Sequence, residues 1–165
     1  MFGGSGSWYY TTLAGLQRAP GSRSWKDLVI APPFSKGMLA QLTSANASID
    51  SPMGVVQSAW SWSSSPASSA AASTAATAPE AAAAEGAGSF TLSAIVPPNA
   101  KARVLVPQVT AAADKVVIRE SNVIVWEHGA FVRGAVDGIK SAAASADGNT
   151  VAFAVGSGRY IFVSS

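Results

Sequence analysis

The sequence predicts a mainly β protein, an antiparallel β-sandwich of the jelly-roll kind, preceded by one short α-helix. Short alternating segments recur along the chain with turn residues between them, which is typical of a sandwich or jelly roll. Only 12% of the 165 residues are charged, against about 25% in ordinary globular chains. Large apolar side chains at helical spacing occur only near the N-terminus. A helical bundle with a solvated surface is therefore disfavoured.

The helix is predicted from residues spaced by three and four positions, which are Trp8, Tyr9, Thr12, Leu13 and Leu16. The Pro20-Gly21 pair ends any helix that starts before it. A helix this short with a large aromatic face is not stable alone. We therefore expect it to rest on a body that this sequence does not contain, and we expect the chain to be part of a longer protein.

The β region begins near Trp25, where the period of the pattern changes from helical spacing to strict alternation. The predicted strands span residues 27–30, 41–50, 55–62, 89–96, 102–106, 115–119, 123–127, 131–132, 150–155 and 160–163. Residues 41–62 read as a hairpin around the turn at 51–54, where Pro52 suits the second turn position. Gly156 and Gly158 are predicted to close the last hairpin.

Residues 63–88 differ in composition from the rest of the chain. They are almost wholly Ala, Ser, Thr, Pro and Gly, and they contain no aromatic or branched aliphatic residue. Such a segment cannot bury enough apolar surface to offset the entropy of ordering it. We expect a disordered, low-complexity insert between two strands, either a tolerated loop extension or an unspliced segment.

The candidates for catalysis and metal binding are weak. The chain has no cysteine and one histidine, His128, which a turn position explains better than a catalytic role. Glu120 and Glu127 lie at the two ends of one predicted strand, and Asp114 and Glu120 lie at the two ends of the strand before it. In either pair the carboxylates are too far apart to act as the two acids of a glycosidase. The sequence predicts no catalytic residue, no metal site and no cofactor.

The charge pattern and hydropathy also restrict the partners. The 11 basic and nine acidic residues give a net charge of +2, and no two basic residues are adjacent. Nucleic-acid binders cluster such residues to neutralise phosphates. No apolar run approaches the ~18 residues of a membrane span. We expect neither nucleic acid nor membrane as a partner.

Trp60 and Trp62 leave two interpretations open. They stand two positions apart, so on a strand they share one face. An exposed pair would form a platform for stacking sugar rings. A buried pair would pack against the helix or the core, because aromatic side chains dominate burial energetics. The core interpretation is favoured.

The order of motifs resembles the C-terminal end of the glycoside hydrolase family 78 α-L-rhamnosidases. The matching motifs are MFGGSGSWYY at 1–10, LAGL at 13–16, KDLVI at 26–30, ANAS at 45–48, PMGVV at 52–56, SAW at 58–60, FTL at 90–92, VPPN at 96–99 and VGSGRYIF at 155–162. The first two resemble the last helix of that family's α/α barrel. KDLVI resembles the segment that links the barrel to the C-terminal β-sandwich, and the remaining motifs resemble the sandwich. The insert replaces what is generally a short turn, and Trp62 stands where the family usually has a polar residue.

The resemblance implies a division of the chain and a function. Residues 1–24 would be the terminal helix and linker of an α/α catalytic barrel, and residues 25–165 the C-terminal sandwich. Trp8, Tyr9 and Leu13 would contact the barrel, which is the expected intramolecular partner. The whole enzyme would be an inverting glycosidase that releases terminal α-L-rhamnose, with its catalytic carboxylates upstream of this chain. Rhamnose-containing glycans are a further expected partner. The alternative is a stand-alone carbohydrate-binding β-sandwich with Trp60 and Trp62 as its platform, and a third interpretation is a purely structural piece with no ligand.

Overall fold

The computed structural model describes residues 3–22, 24–33, 42–63, 88–109, 115–146 and 148–165. Within them the chain begins with a helix, α1, followed by a π-helical turn, and continues as twelve strands. The bounds are α1 Gly3–Trp8, the π turn Tyr9–Leu13, β1 Leu16–Arg18, β2 Asp27–Ile30, β3 Ser44–Ser51, β4 Gly54–Ser63, β5 Ser89–Val96, β6 Lys101–Pro107, β7 Ile118–Glu120, β8 Val123–Glu127, β9 Ala130–Phe131, β10 Ile139–Ala144, β11 Thr150–Val155 and β12 Gly158–Ser164.

The strands form two sheets, which confirms the predicted β-sandwich. The five-stranded sheet has the order β1-β2-β6-β11-β10, and the seven-stranded sheet has the order β3-β4-β5-β12-β7-β8-β9. Pairing is antiparallel throughout except between β2 and β6. The two sheets share one apolar core, in which the Phe153 and Phe162 rings from opposite sheets lie 4.9 Å apart.

The hairpin of β3 and β4 forms as predicted, around the turn at Pro52 and Met53. The Ser51 hydroxyl closes this turn, accepting a bond from the Met53 amide and donating one to the Gly54 carbonyl. Residues 64–87 of the predicted insert lie outside the described residues. On either side of them, Ser63 of β4 pairs with Ser89 of β5, so the segment joins two neighbouring antiparallel strands.

The helical prediction is wrong beyond Leu13. The Ala14 amide bonds the Tyr9 carbonyl five residues back, so the last turn is wider than an α-helical turn. Gly15, with φ of +72°, then redirects the chain. Leu16 consequently lies in β1 and is buried there, rather than on the aromatic face of a helix.

The predicted last hairpin is also wrong. β11 lies in the five-stranded sheet and β12 in the seven-stranded sheet, so Gly156 and Gly158 flank a crossing between sheets. The Gly156 amide still bonds the Gly138 carbonyl beside the five-stranded sheet. The chain then turns over, and Gly158 pairs with Val96 in the other sheet. The crossing therefore connects β11, the strand next to the edge strand β10, with β12, the central strand of the other sheet.

Candidate functional site

The helical segment, by which we mean α1 and the π turn together (residues 3–13), presents aromatic side chains to solvent. Trp8 is 40% exposed and Tyr9 is 56% exposed, and their rings meet edge to face at 5.4 Å. We call these two residues the aromatic patch. The patch lies on α1 and the first residue of the π turn, and none of residues 6–13 is buried. Adjacent exposed aromatic rings are typical of surfaces that contact another molecule or domain.

The C-terminal end of the same segment is fixed to the sandwich. The indole Nε1 of Trp60 donates a hydrogen bond of 2.8 Å to the Leu13 carbonyl. The Ala31 amide donates one of 2.8 Å to the Gly15 carbonyl. A Cβ at position 15 would overlap the Ala31 carbonyl oxygen, so only glycine allows this approach. The helical segment is therefore anchored at one end, while its aromatic patch stays uncovered.

The structure places the predicted barrel-contact residues in two environments. Trp8 and Tyr9 are exposed. Leu13 is half-buried, and its carbonyl accepts the Trp60 hydrogen bond that anchors the helical segment to the sandwich. Two residues that matter here were not predicted as site residues. Gly15 becomes significant through its contact with a distant segment, and Tyr10, 40% exposed, lies beside the patch. The run of three aromatic residues at 8–10 was the available sequence signal for Tyr10.

Trp60 and Trp62 share the inward face of β4, as their spacing predicts. Trp60 is only 3% exposed and stacks 6.3 Å from the Phe90 ring. Trp62 is half-buried, and its ring lies 4.8 Å from the same phenylalanine. A sugar cannot stack on Trp60 in this arrangement. The stacking role of the pair stays a prediction, and the burial of Trp60 argues against it.

The titratable residues singled out in the sequence do not converge on a catalytic arrangement. His128 is exposed in the turn between β8 and β9, with φ of +50°. Glu120 is 4% exposed, and its Oε1 accepts bonds from the Ser121 hydroxyl at 2.7 Å and the Ile161 amide at 3.3 Å. These bonds satisfy Oε1 of the buried Glu120 carboxylate, so its role is structural. Asp114 lies outside the described residues.

Tyr160 is a second buried polar group near Glu120. Its hydroxyl donates a bond of 3.2 Å to the Gly156 carbonyl. Burial raises the pKa of Tyr160 above its ordinary value, and the charge of Glu120 raises it further. The neutral Tyr160 hydroxyl, bonded to the backbone at Gly156, therefore stabilises the crossing between β11 and β12.

In the described part of the chain, no three His, Asp or Glu side chains lie close enough together to hold a metal ion. Among the same residues, none of the helices has both the length and the apolar composition needed to cross a bilayer.

Comparison with known proteins identifies a family of similar domains. Residues 15–70 match the family described as the bacterial alpha-L-rhamnosidase C-terminal domain. The match includes β1 to β4 and begins at Gly15, where the helical segment ends. No curated protein sequence matches the chain.

Two solved structures are similar over nearly the whole chain. The α-L-rhamnosidase from Dictyoglumus thermophilum matches 99% of this chain with a TM-score of 0.61 and 22% identity. The Streptomyces avermitilis α-L-rhamnosidase, solved in complex with L-rhamnose, matches 98% with a TM-score of 0.55 and 28% identity. This chain covers only 13% and 11% of those two proteins. The region shared with them therefore includes the helical segment as well as the sandwich.

Proposed function

We propose that this chain is a C-terminal domain of the bacterial α-L-rhamnosidase type, which the match over residues 15–70 and the similar solved structures support, and that it braces the catalytic barrel of a glycoside hydrolase. The barrel would release terminal α-L-rhamnose by inversion. In that mechanism one carboxylic acid protonates the leaving oxygen while a second carboxylate activates water. Both acids would belong to the barrel, and this chain would be inactive alone.

The observation that carries the proposal is the anchored helical segment with its uncovered aromatic patch. An aromatic side chain buries about 150–250 Å² when it is covered. The patch has Trp8 at 40% and Tyr9 at 56% exposure, so a large part of that apolar gain has not been realised within this chain. A barrel packed on the patch would realise it.

The anchor explains how such a contact would brace the barrel. The bond from Trp60 to the Leu13 carbonyl joins the helical segment to β4, in the seven-stranded sheet. The bond from Ala31 to Gly15 joins it to the end of β2, in the five-stranded sheet. A barrel that packs on Trp8 and Tyr9 would thus be held by both sheets. We accordingly propose that residues 1–24 belong to the contact with the barrel, although β1 is part of the sandwich.

A chimera tests the proposal. This chain would replace the matching 11% of the Streptomyces avermitilis enzyme, and thermal unfolding and hydrolysis of an aryl α-L-rhamnoside would be measured. We expect the chimera to hydrolyse the substrate, while the 165-residue chain alone releases no rhamnose. The double variant Trp8→Ala/Tyr9→Ala should lower the melting temperature of the barrel.

The neighbouring tyrosine supplies the control. Tyr10→Ala removes a ring of comparable exposure next to the patch, and it should leave the melting temperature of the barrel unchanged. The bracing role is refuted if the double variant and the control melt together, or if the barrel melts at the same temperature without this chain. Rhamnose release by the purified chain would refute the claim that it is inactive.

A stand-alone sugar-binding module built on Trp60 and Trp62 is disfavoured by the position of Trp60. Trp60 is buried at 3% exposure and donates its indole N–H to the anchor.

A further inference from the structure

An open groove runs along the edge of the sandwich, on a different side of the helical segment from the aromatic patch. Its volume is about 890 Å³. The walls come from the helical segment, from β1 at the edge of the five-stranded sheet and from β3 at the edge of the seven-stranded sheet. The side chains that matter for binding are Tyr10, Gln17, Arg18, Trp25, Ser48 and Asp50. Neither Trp8 nor Tyr9 lines it.

Two aromatic rings border this groove. Tyr10 is 40% exposed, so part of its ring is accessible. Trp25 is half-buried and packs against the apolar core, which fixes its position. Rings of this kind offer flat apolar surfaces with a polar group at the edge, and they lose little conformational entropy on binding. They suit a ligand that has an apolar face and polar edges.

The polar side chains around the rings supply both donors and acceptors. Arg18 only donates and Asp50 only accepts, whereas the Ser48 hydroxyl does both. The Gln17 amide nitrogen donates to the Thr11 carbonyl at 3.0 Å, which orients its carbonyl oxygen as an acceptor. Arg18 and Asp50 are exposed, and the described residues include no ion-pair partner for either.

The charges of the described lining residues disfavour a strongly ionic ligand. Arg18 and Asp50 are the only charged residues among the described lining, and their charges cancel. A phosphate or polyanion would meet one cation and one opposing carboxylate, which is a poor site for it. A neutral ligand with many hydroxyl groups fits the balance of donors and acceptors.

We propose that this groove binds a neutral carbohydrate, with sugar rings against Tyr10 and Trp25 and hydroxyl groups bonded to Gln17, Arg18 and Asp50. A pocket of this size lies in the range that small ligands occupy. The site is separate from Trp60 and Trp62, and it does not depend on the bracing role proposed above, because the aromatic patch does not line it.

Titration of the ¹⁵N-labelled 165-residue chain tests the proposal by NMR. The probes are L-rhamnose, cellotetraose and xylotetraose, with glucuronate and inorganic phosphate as charged comparisons. At least one neutral sugar should give saturable shifts at the indole N–H of Trp25 and at the amides of residues 17–18 and 48–50. A spectrum with native dispersion would verify that each variant is folded.

Variants locate the site. Tyr10→Ala should weaken the binding of that sugar about fivefold, the change expected from loss of one aromatic contact. Asp50→Ala should weaken it by a similar factor, while Tyr9→Ala, next in sequence but outside the groove, should bind like the unmodified chain.

Three results would overturn the proposal. The first is the absence of saturable shifts with every neutral sugar up to its solubility limit. The second is binding of the charged probes alone. The third is equal binding by the Tyr10→Ala and Tyr9→Ala variants. Slowed amide exchange along the whole of β3 on adding a peptide, with no response to sugars, would show that the edge strand pairs with another chain instead.

Discussion

Aromatic side chains in the helical segment and in the sandwich have opposite environments. Phe90, Phe153 and Phe162 are fully buried between the sheets, whereas Trp8 and Tyr9 remain 40% and 56% exposed. The sandwich covers its own aromatic residues, because the two sheets provide facing apolar surfaces. Among the described residues, no such surface covers the patch on the helical segment. The difference separates residues that stabilise this fold from residues available for contact with another body.

The largest expected effect on stability comes from an aromatic residue buried between the sheets. Phe162→Ala should lower the free energy of unfolding by about 3–5 kcal/mol, because it leaves a cavity beside Phe153 in a core that both sheets share. Urea denaturation followed by circular dichroism measures this. Tyr9→Ala, at an exposed position, should change the same quantity by less than about 0.5 kcal/mol. Comparable losses in the two variants would contradict the division of roles.

The junction between the two regions gives the next largest effect. Gly15 and Gly134 have nearly the same φ, +72° and +74°. A Cβ at Gly134 meets open space, whereas a Cβ at Gly15 meets the backbone of Ala31. Gly134→Ala should therefore cost only the left-handed strain of about 1–2 kcal/mol, and Gly15→Ala should cost at least 1 kcal/mol more by urea denaturation. Equal costs would show that Gly15 is not a close contact.

The anchor bond has a smaller effect. Trp60→Phe keeps most of the buried ring but removes the N–H that bonds the Leu13 carbonyl, so we expect a loss of about 1–2 kcal/mol. Amide exchange of residues 9–14 should accelerate more than that of β5, because the helical segment loses one of its attachments. Trp62→Phe, in which the changed ring keeps its contact with Phe90, should not accelerate exchange in the helical segment. Uniform acceleration across the chain in Trp60→Phe would argue against an anchor.

Alkaline pH tests the crossing between the sheets. Burial and the charge of Glu120 raise the pKa of Tyr160 in the folded protein. The unfolded chain therefore ionises this residue first, near pH 10. The stabilising contribution is complete below that pH and is lost as the pH rises toward the folded pKa. Urea midpoints should fall more steeply between pH 9 and pH 11 for the unmodified chain than for Tyr160→Phe, at about the pH values set by the tyrosine pKa. Parallel profiles would contradict this assignment.

The hairpin of β3 and β4 could be predicted because its signals are local. Alternation of small polar and apolar residues sets the faces, and Pro52 marks the turn. β10 was not predicted, because its residues IKSAAA have no alternation and only Ile139 is buried. Glycines at a turn do not reveal which sheet the next strand joins, so the sequence predicts a hairpin at Gly156 where the chain crosses between the sheets. Pairing of β11 with β6 depends on residues far away in sequence.

Part of the candidate site could be predicted from the sequence, and part could not. Exposure of Trp8 and Tyr9 follows from a short aromatic helix without a helical partner in the sequence, and that much could be predicted. The groove could not, because Tyr10, Trp25 and Asp50 come together only when the edges of the two sheets are positioned. The π turn also changes which side chains share a face, so helical spacing misplaced Leu16.

The most direct test of the central claim is the solvent accessibility of Trp8 and Tyr9 by hydroxyl-radical footprinting. It would be measured in the 165-residue chain alone and in the chimera with the rhamnosidase barrel. Both residues should be oxidised readily in the isolated chain, consistent with their exposure, and should be protected when the barrel is present. Equal oxidation in the two proteins would contradict the account, because the barrel would then leave the aromatic patch uncovered.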